Sequence, residues 1–171
     1  MEKINNLLIV DDDTTNLMEL IHILQPDYKI YTAKNGMYAL EKAEMLLPDL
    51  ILLDVIMPGM SGFDVITEMK KSEKTKDIPV IFITGISESD DEGKGLDLGA
   101  ADYIRKPFNA SVVKHRVRRQ IQIINLKHEI ITALEEIKTA AQNNESEKLI
   151  SVCEQLSKSA SALVFSNSNE S

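Results

Sequence analysis

The chain has 171 residues, 43% of them hydrophobic and 27% charged, with one cysteine and a formal net charge of −8. That suits one folded core plus an appendage. It excludes a helical membrane protein, because no apolar run approaches the ~20 residues of a membrane span. The first strand begins within a few residues of Met1, which predicts no signal peptide. Cys153 has no second cysteine to pair with, which points to a reducing, cytoplasmic setting. Its apolar neighbours predict a small packing residue. The charge is uneven: residues 1–109 carry 11 basic and 20 acidic side chains, and residues 110–171 carry eight and seven. An acidic body argues against broad nucleic-acid binding and suits a cation site.

Leu7 to Val10 reads as an apolar strand that runs into Asp11-Asp12-Asp13. Thr14 to Leu24 follows as a helix, with Leu17, Leu20, Ile21 and Leu24 on one face, Asp13 or Thr14 as its N-cap, and Pro26 as its stop. Lys29 to Ala33 is a short second strand. Asn35-Gly36 then turns into a helix, Met37 to Leu47, ended by Pro48. Leu50 to Leu53 is an unbroken apolar run, as expected of a central parallel strand covered on both faces. It ends at Asp54, ahead of a loop holding Pro58, Gly59 and Gly62. A carboxylate is too costly to bury inside such a strand but is at home at its carboxyl end, where open α/β sheets place ligands. Taken alone, this stretch is equally compatible with Asp54 capping the next helix.

That helix runs from Phe63 to about Lys71, with the exposed stretch Lys70 to Asp77 beyond it. Val80 to Thr84 is the fourth strand. Glu88 to Leu98 is a helix interrupted by Gly93 and Gly95 and capped by Gly99. Asp102 to Arg105 is the fifth strand, ending at Lys106-Pro107-Phe108. Strands alternating with helices predict a doubly wound parallel sheet in an α/β fold.

From Ala110 onward there is no Pro or Gly. Val113, Val117, Ile121, Ile124, His128, Ile131, Leu134, Ile137 and Ala141 recur at spacings of three and four, predicting a helix of about 45–50 Å. Asn143-Asn144 reads as a turn and Ser146 to Val164 as a further helix, which together predict an αα-hairpin paired with a second copy. The expected organisation is a domain over residues 1–125, a helical extension over 126–165 and a disordered tail over 166–171. His128 falls in the apolar stripe, which predicts a packed polar residue rather than a phosphoryl carrier.

In a parallel sheet the strand ends share one edge. Asp11, Asp12, Asp54, Thr84 and Lys106 would then line one cleft. Carboxylates this close repel unless a cation joins them, and an all-oxygen ligand set suits Mg²⁺. A metal, a nucleophilic Asp, a hydroxyl and a Lys together suit phosphoryl transfer.

Four motifs carry a family resemblance: Val10-Asp11-Asp12; Leu53-Asp54 with Met57-Pro58-Gly59 and Gly62; Ile83-Thr84-Gly85; and Tyr103-Ile104-Arg105-Lys106-Pro107-Phe108. In order and at the right strand ends, they resemble the receiver domain of two-component response regulators over roughly Asn6 to Asn109. The resemblance implies a flavodoxin-like strand order 2-1-3-4-5. It implies Asp54 as phospho-acceptor, and Mg²⁺ held by Asp11, Asp12, Asp54 and the backbone carbonyl of Ile56. Thr84 corresponds to the switch hydroxyl, Lys106 to the lysine that pairs with the phosphoryl group, and Tyr103 to the aromatic that changes rotamer. The Lys106-Pro107 bond resembles the family's cis peptide. The implied partner is a sensor histidine kinase or phosphotransfer protein. Phosphorylation would shift the face built from the fourth helix, fifth strand and fifth helix. The only chemistry implied is self-directed, phosphotransfer followed by autodephosphorylation. Ile56 and Ile86 flank the site and could slow the attacking water.

Leu7 to Thr15 also fits the aspartate-nucleophile motif of haloacid-dehalogenase-like phosphatases, with Asp11 attacking and Asp13 as acid/base. That family needs a further acidic pair beyond the lysine, where this chain has only helix. A third reading is a receiver-fold interaction module without phosphorylation, which the intact site residues disfavour. The cluster Lys114, His115, Arg116, Arg118, Arg119 reads as a solvated or partner-facing helix side, able to meet Asp91, Glu92 or Asp97 across a dimer. No output motif follows the receiver. The remaining helices are expected to form a dimerisation or effector-docking stalk, or a link to an effector outside this sequence.

Overall fold

The computed structural model describes residues 4–85, 95–143 and 145–168, with side chains to residue 159. It divides into two compact units, Met1–Gln122 and Ile123–Ser171. In the first, β1 (Asn6–Val10), β2 (Lys29–Ala33), β3 (Leu50–Asp54), β4 (Val80–Thr84) and β5 (Asp102–Arg105) form one sheet. Its order is β2-β1-β3-β4-β5 and every pairing is parallel. Helices α1 (Thr14–Leu24), α2 (Gly36–Leu46) and α3 (Gly62–Lys71) connect the strands. Residues 86–94, which include Ile86 and the start of the helix expected from Glu88 with Asp91, Glu92 and Gly93, lie outside the described residues. Gly95 to Asp97 are helical and Gly99 follows in the left-handed region at φ 88°.

Every residue of β3 and β4 is buried, as their unbroken apolar runs require. One sheet face, with Leu8, Val10, Ile51, Leu53, Val80 and Phe82, packs on Ala39 and Ala43 of α2 and on Phe63, Val65, Ile66 and Met69 of α3. Leu7, Ile9, Leu50, Leu52, Ile81 and Ile83 alternate with these and are fully buried or nearly so. Leu17, Leu20 and Leu24 of α1, and Val113 and Val117 of the long helix Ala110–Gln142, are also buried.

Local signals set the helix starts. Asp13 caps α1, accepting from the Thr15 N–H at 2.7 Å, and Asn35 caps α2. Ser61 and Asp64 form a capping box on α3, so that helix begins a residue earlier than Phe63. The β3–α3 loop closes where the Gly62 N–H donates to the Val55 carbonyl at 2.9 Å. A Cβ on Gly62 would sit 2.3 Å from the Asp54 carbonyl oxygen, so only glycine lets α3 start this close to β3. Gly59 takes the left-handed turn at φ 80°.

The second unit is a helical hairpin, in which the end of the long helix is followed by a terminal helix, Ser146–Ser168. The Glu145 N–H caps the Ala140 carbonyl, and the Ser159 hydroxyl donates to Glu129 across the pair. Ala133, Ala140 and Val152 are buried. Within the single chain the hairpin does not bury the expected stripe: Ile131, Leu134 and Ala141 are exposed, and so is His128, while small alanines on a neighbouring face take the inter-helix contact. Periodicity marks an apolar face but not which neighbour comes close, and alanine allows the closest approach. Cys153 is exposed rather than packed. The terminal helix continues to Ser168, past Val164 and into the stretch expected to be a tail. Residues 169–171 lie outside the described ones.

Gly62→Ala must push α3 or the end of β3 out of place. It is expected to lower unfolding free energy by about 1–3 kcal/mol in urea titrations.

Candidate functional site

The cleft at the carboxyl edge of the sheet is assembled by chain topology. β1 delivers Asp11 and Asp12, β3 delivers Asp54, β4 delivers Thr84, and Lys106 follows β5 directly. Asp11 is fully buried, Asp54 is 5% exposed and Asp12 is open to solvent. One carboxylate oxygen from each of the three lies within 4.8 Å of the others. The Lys106 Nζ sits 2.9 Å from Asp11 Oδ2 and 3.0 Å from Asp54 Oδ2, bridging two buried acids.

The electrostatics follow from that crowding. Burial pushes the Asp54 carboxyl above its usual value; the Lys106 hydrogen bond opposes this and the Asp11 charge adds to it. Burial alone would lower the Lys106 ammonium, but its bonds to Asp11 and Asp54 outweigh that, and its pKa is raised. Asp13 is lowered by hydrogen bonds from Thr15 and faces solvent, in keeping with its capping role. The three-carboxylate set fits a small hard cation, since it offers oxygen atoms alone and an open position at Asp12.

Thr84 is 2% exposed and its hydroxyl has no hydrogen-bond partner among the described residues. A buried orphan hydroxyl costs stability, roughly 1–3 kcal/mol, unless some state of the protein uses it. Ile56 lies on the loop after β3 with its side chain 61% exposed. Tyr103 is half-buried on β5 and is not among the cleft carboxylates. Its ring lies under the Arg116 guanidinium at 4.9 Å and near Arg105 at 5.7 Å. Arg116 also pairs with Asp102 of its own chain, so it is engaged at home rather than reserved for an acid of a second copy. The Lys106-Pro107 bond is cis.

Asn16 escaped the sequence reading. Its Nδ2 donates to both Asp11 oxygens, at 3.1 and 3.0 Å, and the Asp13 N–H donates to Oδ1 at 2.9 Å. The available signal was positional: Asn16 lies in the first turn of α1, whose N-cap is two residues past Asp11.

A raised Asp54 pKa means the ionised carboxylate is less favourable folded than unfolded. This penalty is present at neutral pH and vanishes as pH falls below the unfolded value near 3.8. Asp54→Asn is therefore expected to raise the melting temperature of the chelator-treated protein at neutral pH, with the gain shrinking on acidification. An equal or lower melting temperature at neutral pH would contradict it.

The comparisons agree with the geometry. The family described as response regulator receiver domain matches residues 7–118. A Vibrio cholerae serotype O1 protein named "Probable cyclic di-GMP phosphodiesterase" is 43% identical over 116 residues, covering 68% of this chain and 26% of that protein. Response regulator PleD of Caulobacter vibrioides is 42% identical over 113 residues, covering 66% of this chain and 25% of its own length. The chain thus spans about a quarter of each of these two relatives. The solved structure of Vibrio cholerae chemotaxis protein CheY4 superposes with a TM-score of 0.65 at 30% identity, covering 68% of this chain and 98% of that one. With its sheet order, its strand-end acids and this match, the chain belongs to the response regulator receiver domain family.

Proposed function

We propose that this receiver accepts a phosphoryl group on Asp54 from the phosphohistidine of a sensor kinase or phosphotransfer protein. The observation that carries the reading is the Lys106 ammonium seated between Asp11 and Asp54, at the same sheet edge as a buried Thr84 hydroxyl that is unpaired among the described residues. Asp11, Asp12, Asp54 and the Ile56 carbonyl would hold Mg²⁺, which supplies positive charge against the phosphoryl oxygens. An Asp54 oxygen attacks phosphorus, the N–P bond breaks, and the imidazole leaves with the electron pair. Lys106 keeps its contact with Asp11 and offers donors to the phosphoryl group. Thr84 gains the partner it lacks at rest, which draws β4 and the loop after it toward the site. Tyr103 and its two arginines lie on the next strand, where such a shift would be felt. Water then hydrolyses the acyl phosphate, with exposed Ile56 limiting its approach.

The output we assign to the helical unit is association with a second copy. Ile123, Lys127, Ile130, Leu134, Ile137 and Ala141 alternate at spacings of four and three, the rhythm of a coiled-coil seam with one lysine in it. Ile123 is 50%, Ile130 42% and Leu134 57% exposed, so this ridge is unspent by the hairpin's own contacts. Among the described residues no helix is long and apolar enough to cross a membrane. An effector protein, within a longer chain or separate from it, would read the state of the receiver.

Acetyl phosphate with Mg²⁺ is expected to add one phosphoryl group, located on Asp54 by mass spectrometry. Asp54→Asn should abolish the adduct and chelator should prevent it. Labelling that survives Asp54→Asn at Asp11 would favour the phosphatase reading. No labelling at all would favour a phosphorylation-free module. Sedimentation is expected to show a dimer that Ile130→Glu with Leu134→Glu converts to monomer, and a monomeric parent protein would remove the seam.

A further inference from the structure

His128 was expected to be packed within an apolar stripe and is instead exposed. Among the described residues it makes no hydrogen bond, ion pair or ring contact. Of the other two histidines, His22 is also exposed, in the last turn of α1, and His115 is engaged and lines a cleft of about 550 Å³ with Asp102, Arg116 and Arg119.

The position of His128 on its helix is specific. At about 100° per residue, Ala133 and Ala140, which take the hairpin contact, lie roughly 120–140° round the helix from it. The ridge of Ile123, Ile130 and Leu134 lies about 120–160° the other way. His128 therefore occupies a third face, spent on neither contact. Two residues flank it there: Ile124, four earlier and half-buried, and Ile131, three later and 44% exposed.

The receiver cleft presents the complementary surface. It is acidic, with Asp11 and Asp54 buried and Asp12 open to solvent. An apolar side chain stands exposed two residues past Asp54: Ile56 on the loop after β3, at 61%. An imidazole flanked by isoleucines suits an acidic cleft with exposed Ile56 next to it, a polar centre beside apolar surface on each side.

We infer that His128 is a second phosphoryl-carrying site of this chain, exchanging phosphoryl groups with the Asp54 cleft of a second copy. The inference rests on the receiver reading of Asp54. In the forward step the unprotonated ring nitrogen of neutral His128 attacks the phosphorus of the Asp54 acyl phosphate. An N–P bond forms, the P–O bond to Asp54 breaks, and the carboxylate leaves with the electron pair. The other ring nitrogen keeps its proton, and no further reactant is consumed. The reverse step returns the group to Asp54, so the hairpin stores and passes on what the receiver takes up.

The test uses two full-length variants. H128Q is loaded on Asp54 with labelled acetyl phosphate and Mg²⁺, freed of small molecules, and mixed with D54N. The expected result is label on D54N that survives alkali and is lost in acid, as phosphohistidine is, whereas an acyl phosphate is lost in alkali. It should be absent when the acceptor is D54N with H128Q. In the D54N background, I131E is expected to cut the transfer rate at least tenfold while His128 still reacts with phosphoramidate, which separates docking from chemistry. If H128Q loads and its label is lost only to water, the inference is overturned and the receiver reading stands. If H128Q never loads on Asp54, both fall together.

Discussion

The first unit is organised around a conflict between like charges. Two carboxylates, Asp11 and Asp54, are brought to adjacent strand ends by the parallel pairing of β1 and β3, and both are buried. Neither can be relieved by water, so the fold brings in the Lys106 ammonium from the end of β5 to lie between them. That lysine is the resting solution to a problem the sheet creates. It also defines the chemistry, because any group that replaces its interactions must bring either positive charge or a set of oxygens for the ammonium to grasp.

Much of this was legible in the sequence for a definite reason. β3 and β4 are covered on both faces, so their apolar runs are uninterrupted, and a carboxylate or hydroxyl can follow only at the end. Once the strand ends were identified, parallel topology placed Asp11, Asp54, Thr84 and Lys106 along one edge without further information. Caps were legible in part. Asp13 and Asn35 stand directly before their helices, whereas the Ser61–Asp64 pair needed the loop geometry that Gly62 makes possible.

What was not legible shares one cause, the choice between neighbours. The stripe along the long helix has the right spacing, yet Ala133 and Ala140 are buried while Ile131 and Leu134 are exposed. Side-chain hydrophobicity favoured the isoleucine and leucine; closeness of packing favoured the alanines. His128 and Cys153 were misplaced by the same reasoning, since each was judged by its sequence neighbours rather than by the face it turned toward. Arg116 belongs with these. Its partner is Asp102, which precedes it by 14 residues and is brought near by the fold alone.

The Asn16 amide reaches further than its role as a clamp. With Asn16 on both oxygens of Asp11, the Asp13 N–H on one and Lys106 on the other, this carboxylate is saturated before any ion arrives. A divalent ion held through Asp11 would not simply be added to the cleft; it would be swapped in, loosening donors already in place. Occupancy would then be an exchange between an internal counter-ion and an external one, tuned by how firmly a single amide on α1 holds its grip.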